Sequence, residues 1–86
     1  MRANFHGRFA KSYKRCSAKI QRQFQKRLKL FLEDPFNTVL ENHALHDEWH
    51  NFRSINITGD YRALYHNLDE DTVEFFIIDT HSNLYG

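Results

Sequence analysis

Phe52-Arg53-Ser54-Ile55-Asn56-Ile57-Thr58-Gly59-Asp60-Tyr61-Arg62-Ala63-Leu64-Tyr65-His66 is the stretch on which the fold turns. Two runs rich in β-branched and aromatic residues, 52–57 and 61–66, flank Thr58-Gly59-Asp60. Strand formers on either side of a Gly-Asp turn predict an antiparallel hairpin. A third run, Thr72 to Ile78, follows the turn-forming segment Asn67-Leu68-Asp69-Glu70-Asp71. Within it Val73-Glu74-Phe75-Phe76-Ile77-Ile78 is apolar without alternation, as expected of a central strand covered on both faces. The C-terminal half therefore reads as a three-stranded antiparallel meander.

Upstream the period changes. Phe9, Tyr13 and Cys16 recur at i, i+4, i+7, which is one face of a helix. Ser17 is a suitable N-cap for a second helix. Ile20, Phe24, Leu28, Phe31 and Leu32 then form an apolar stripe, with Lys19, Arg22, Lys26 and Lys29 on the opposite side. Pro35 disfavours helix at Asp34 and should stop it there. Met1 to Phe5 reads as a short first strand, and Phe36 to Glu48 as a long connection without a period. The architecture implied is α+β, in the order β-α-α-β-β-β. A helical hairpin would pack on one face of a twisted antiparallel sheet, leaving the other face partly open.

The length of 86 residues fits one small domain, 1–86, with a modest core. Eight Phe, four Tyr and one Trp argue against a disordered chain. Cys16 is the only cysteine, so no internal disulfide can form, and a reduced, cytoplasmic setting is expected. The first thirty residues lack the continuous apolar run of a signal peptide. They are basic and acid-free, as a transit peptide would be, but their spaced Phe and Leu look like core. No stretch is long enough to span a membrane. Asn56-Ile57-Thr58 matches a glycosylation acceptor, which has no consequence without secretion.

A net charge of +1 conceals a segregation. Residues 1–32 hold ten of the twelve Lys and Arg and no acid; residues 33–86 hold all eleven acids and only Arg53 and Arg62. Such asymmetry points to a nucleic acid or other polyanion on the first part, a solvated helix face being the plain alternative. Arg53 and Arg62, isolated in an acidic half, call for specific partners.

Six histidines are present, three of them in His43-Ala-Leu-His46-Asp-Glu-Trp-His50. A zincin helix would need Glu directly after the first His, and here Glu48 is displaced. On a strand His46, Glu48 and His50 would share a face, but further metal ligands are lacking. Arg62 has two readings, a structural ion pair with Asp60 or Glu74, or a phosphate clamp. In a meander the third strand returns beside the second, so Asp79-Thr80-His81 should emerge close to Arg62. His81 and Tyr85, four apart, would share a side of one helical turn. An Arg, a His and a phenol at one end of a sheet suit acid–base chemistry on a phosphodiester.

These motifs resemble the RelE/ParE toxin superfamily. The resemblance rests on His43-Ala-Leu-His46, Trp49, the run from Phe52 to Tyr65 with its turn-Asp-Tyr-Arg, Asp69 to Asp71, and the terminal Asp79-Thr80-His81-Ser82-Asn83-Leu84-Tyr85-Gly86. It covers essentially the whole chain and is nearest to the YafQ-like and RelE/StbE mRNA interferases of type II toxin–antitoxin modules. It implies a β-α-α-β-β-β(-α) microbial ribonuclease fold, with no metal or other cofactor. It also implies a cognate antitoxin partner and cleavage of mRNA on the ribosome. On this resemblance Arg62 would hold the scissile phosphate and His81 would be the general acid. Tyr85 would stand at an aromatic site position, and His43 and Asp60 at functional ones. Either His43 or Asp60 could be the base. Lys19, Arg22, Lys26, Lys29 and Arg53 would contact RNA.

The chain also departs from the pattern. Ser54 and Asn56 stand where the RelE branch has catalytic lysines, Asn56 where the YafQ branch has a histidine, and Ile77 near a YafQ arginine. Asp79 replaces the usual Gly before Thr-His. The alternatives are a ParE-type toxin that inhibits gyrase by binding, or a catalytically weak nucleic-acid-binding relative. Relatives of the ParE type usually lack the terminal histidine.

Overall fold

The computed structural model describes residues 1–86. Its elements are β1 (Arg2–Phe5), α1 (Gly7–Arg15), α2 (Ala18–Glu33), β2 (His43–Ala44), β3 (Arg53–Asn56), β4 (Tyr61–Asn67), β5 (Thr72–Thr80) and α3 (His81–Tyr85). They form an α+β fold around one five-stranded sheet in the order β1-β5-β4-β3-β2. The strands from β2 to β5 pair antiparallel, whereas β1 runs parallel to β5. The sheet is thus mixed, not purely antiparallel. The helical hairpin carries the chain from β1 at one edge of the sheet to β2 at the other.

Local chemistry sets the helix ends. The His6 imidazole accepts from the Arg8 N–H at 3.0 Å, and Ser17 Oγ accepts from the Ile20 N–H at 3.3 Å. Each satisfies a donor that the first turn leaves unpaired. α2 ends at Glu33, and Asp34, forced out of helical geometry by Pro35, caps it. Leu32, about 100° around the helix from Phe31, lies at the margin of the apolar stripe and is 37% exposed. Phe31 carries the burial there.

Two apolar clusters lie on opposite faces of the sheet. On the helix face Phe9, Phe24 and Phe31 pack on Ile55, Ala63, Tyr65, Val73, Phe75 and Ile78. On the other face Leu45, Leu64, Ile77 and Leu84 form a smaller cluster with Trp49, Phe52 and Phe76. The connection after Pro35 is therefore not structureless. It contains 3₁₀ turns at Thr38–Leu40 and Asp47–Trp49 as well as β2, and with α3 it covers part of the face expected to be open.

A bulge explains the unbroken apolar run in β5. Leu64 pairs with Ile77, but Tyr65 pairs with Phe75, so Phe76 is one residue too many. Phe76 and Ile77 consequently serve the same cluster, while Phe75 and Ile78 serve the other.

β1 covers β5 only as far as the Phe5–Phe75 pair. Beyond it the edge of β5 is taken over by α1. The Ser12 hydroxyl accepts from the Ile78 N–H at 3.1 Å and donates to the Phe9 carbonyl at 3.0 Å. Ser12→Ala should leave that buried N–H unpaired and lower stability by about 1–3 kcal/mol. Urea unfolding measures the loss, and faster exchange of the Ile78 amide locates it.

Cys16 is buried, and burial together with the nearby Asp79 charge pushes its thiol above the ordinary value. The folded chain thus keeps a proton that the unfolded chain releases near pH ~8.5. This contribution to stability is present below that pH and falls away as pH rises through the raised folded value. Alkylation of Cys16 at pH 8 should be slow in the folded chain and fast in urea.

Candidate active site

Register places the candidate residues on the sheet face opposite the helices. β-strand side chains alternate, so Arg62 shares the face of Leu64. Cross-strand partners share a face as well. Asn56 and Asp79 flank Arg62, and His43 stands across from Ser54, which stands across from Leu64. His43, Ser54, Asn56, Arg62 and Asp79 are therefore on one face, with α3 folded over its end.

α3 exists because its start is capped. Thr80 Oγ1 accepts from the Asn83 N–H at 3.2 Å, and Asp79 Oδ1 accepts from the Asn83 amide at 3.0 Å. The His81 N–H donates to the Asp60 carbonyl at 2.8 Å, fastening the tail to the Gly59-Asp60 turn. Leu84 is buried in the smaller cluster, and its carbonyl accepts from Trp49 Nε1–H at 3.2 Å. The helical turn brings the His81 and Tyr85 rings edge to face, 4.7 Å apart.

An open cleft of about 380 Å³ results. Its lining includes His43, His46, Asp47, His81 and Tyr85. His43 is oriented by its own segment. Glu41 is held left-handed, at φ 47°, and its carbonyl lies 2.7 Å from His43 Nδ1. A carbonyl can only accept, so Nδ1 carries the proton and Nε2 of the neutral ring keeps its lone pair. The Glu41 carboxylate accepts from the Asn56 amide at 2.5 Å, which ties the same segment to β3.

Arg62 makes no ion pair; the one ion pair of the molecule is His66–Glu74, at 2.8 Å. Its Nη1 donates instead to the carbonyls of Thr58, Gly59 and Tyr61 at 3.0, 3.3 and 3.1 Å. Nε and Nη2 are left without protein acceptors. The guanidinium is thus braced on the turn with donors to spare. Asp60 is exposed at the turn, outside the cleft lining, and its carboxylate makes no hydrogen bond or ion pair.

The other sequence candidates lie elsewhere. Arg53 is on the helix face, with its guanidinium 5.3 Å over the Phe36 ring and its Nε donating to Asn42 at 2.9 Å. Asn42 in turn donates to the Tyr65 hydroxyl at 2.8 Å, so Arg53 belongs to a packed network behind the sheet. Lys19, Arg22, Lys26 and Lys29 form an exposed stripe on α2, also behind it. His46, Glu48 and His50 do not share a strand face, because Asp47–Trp49 is a 3₁₀ turn. No three His, Cys, Asp or Glu side chains converge as a metal ligand set. The site residues drawn from the sequence did not include His46 and Asp47, although a cleft-rim role for one histidine of the 43–50 cluster was open; the structure puts both in the lining. Their only sequence signal was proximity to His43 in a segment without a period.

This arrangement, a helical hairpin behind a twisted sheet and a capped C-terminal turn in front, is that of the RelE- and YafQ-type toxins. The chain belongs to the ParE toxin family of type II toxin–antitoxin systems, parDE, whose profile matches residues 3–85. The fold is shared with YafQ from E. coli strain BL21(DE3) at a TM-score of 0.81 and 20% identity, covering 98% of this chain and 97% of that one. Toxin chains of two complexes are similar. The DinJ–YafQ toxin–antitoxin complex of E. coli gives 0.77 at 19% identity, covering 98% and 96% of the two chains. RelBE2 from Mycobacterium tuberculosis gives 0.74 at 21%, covering 92% and 95%. No curated protein matches the sequence.

The hydrogen bond to Glu41 makes a direct prediction. Long-range nitrogen–proton spectra of neutral His43 should show Nδ1 protonated and Nε2 bare. The opposite tautomer would remove His43 from consideration as a base.

Proposed function

We propose that this toxin is an endoribonuclease that cuts mRNA on the ribosome, using the RNA's own 2′-hydroxyl as nucleophile. The observation that carries the reading is the convergence of His43, His81 and Tyr85 on one open cleft; Arg62 is not in its lining, but the turn that braces it also holds the His81 N–H, through the Asp60 carbonyl. RNA supplies the attacking group, so the protein has only to move two protons and steady charge. His43 Nε2 takes the 2′-hydroxyl proton, a role in which it is better placed than Asp60. His81 gives a proton to the departing 5′-oxygen. Arg62 offsets the charge that builds on the phosphorane through its unused donors. Tyr85 stacks on a base or orients the phosphate.

The α2 stripe of Lys19, Arg22, Lys26 and Lys29 faces away from the cleft and meets bulk RNA electrostatically. A cognate antitoxin completes the system, as toxin–antitoxin complexes of the same fold indicate.

General acid catalysis is worth ~10²–10⁴-fold, so His81→Ala should slow ribosomal mRNA cleavage by about that factor. Primer extension on mRNA during induced expression reads the cuts directly. Equal cutting by wild type and His81→Ala would end the assignment of His81.

The family profile itself favours a second reading, a ParE-type toxin that inhibits gyrase by binding and cuts nothing. Expression that triggers DNA damage with intact mRNA would select it.

A further inference from the structure

The imidazole cleft continues into a second one whose chemistry is different. This neighbour, of about 430 Å³, lies between the Asp47–Trp49 turn and the end of α3. The two share His46, Asp47 and Tyr85. No Lys or Arg lines the second cleft, and two side-chain carboxylates, Asp47 and Glu48, do. A phosphate has no place there. Yet it is the next space a strand seated at His43 and His81 would reach.

One wall is a fixed aromatic. Trp49 is half-buried, its Nε1–H is committed to the Leu84 carbonyl, and its ring is held perpendicular to that of Phe52, with centroids 5.5 Å apart at 89°. A planar ligand can stack without ordering it. The carboxylates are the reverse, exposed and uncommitted. Neither forms an ion pair, and neither side chain accepts a hydrogen bond within the protein. The cleft therefore offers a flat apolar surface beside unpaired acceptors, and its ligand must be flat and rich in N–H donors.

We propose that this cleft is a nucleobase subsite that selects guanine, an inference that rests on the ribonuclease reading and deepens it. Guanine carries N1–H and N2–H side by side, matching the two oxygens of one carboxylate. Adenine and cytosine each place a single amino group next to a ring acceptor. Uracil sets its lone N–H between two carbonyl oxygens, which a carboxylate repels. The expected order is guanine first, adenine and cytosine next, uracil last. Bases of single-stranded RNA are commonly recognised in this way, stacked on aromatics and bonded along their Watson–Crick edge.

Trp49 is the only tryptophan, so its emission reports on this cleft alone. The full chain is titrated with 5′-GMP, 5′-AMP, 5′-CMP and 5′-UMP. GMP should quench at a concentration roughly ten-fold below that needed for UMP, the discrimination expected of a bidentate pair. The double variant Asp47→Asn, Glu48→Gln should erase the preference while its circular dichroism and thermal unfolding stay those of wild type. Equal quenching by GMP and UMP overturns the proposal, as does no quenching by any nucleotide. A preference that survives the double variant overturns it too. Cleavage is scored separately. A chain that discriminates GMP but cuts no mRNA keeps the subsite and loses the nuclease. One that cuts without discriminating loses only the subsite.

Discussion

The pairing of β4 with β5, and the extra residue within it, decides where the end of the chain points. Up to Phe75 the strand sends odd-numbered residues to the helix face; after Phe76 the even-numbered Ile78 goes there. That phase change puts Asp79 opposite Arg62 on the other face and delivers His81 to the Asp60 carbonyl. In a regular strand Asp79 would face the helices, and α3 would start from the wrong side. The bulge also turns Phe76 and Ile77 to the same face, where buried Ile77 and half-buried Phe76 join the cluster that holds Leu84 and Trp49. One local irregularity thus serves the core and the placement of the tail at once.

Electrostatics contributes little to the cohesion of the molecule. Twelve Lys and Arg coexist with eleven acids, yet none of these cations is ion-paired; the one pair uses a histidine. Apolar burial on both faces does the stabilising, with an aromatic block of Phe9, Phe24, Phe31 and Phe75 at contact distances of 5.1–5.9 Å behind the sheet. The charges are left available for partners. Even Arg62, with Asp79 opposite, spends one nitrogen on turn carbonyls while Asp79 turns to Asn83.

Much of this was legible in the residues. Periodicity gave the helical hairpin, Pro35 its end, and the Gly59-Asp60 turn the register that brings the tail to Arg62. The parallel placement of β1 was not legible, because a four-residue strand carries no signal of its partner or direction. The 36–52 segment was hidden for a related reason. Its order comes from single buried anchors, Leu40 and Leu45, and from caps such as Asn37 and Glu41, none of which repeats. His43 and His81 could be proposed from motifs, but that His46 joins them depends on a 3₁₀ turn no pattern announces. Arg53 shows the converse limit. Its isolation among acids said nothing of the aromatic ring and the asparagine that it meets behind the sheet.

The cationic stripe of α2 and the histidine-lined cleft lie back to back, separated by one sheet in a particle measuring 31 × 28 × 26 Å. A short oligonucleotide cannot wrap from one to the other and can grip only a single side. On the function proposed above, only a crevice walled by polyanion on both sides would engage the two together, the second contact forming at the high effective concentration set by the first. Under that proposal, modest hold on isolated strands and firm retention in a narrow gap would be two results of the same geometry.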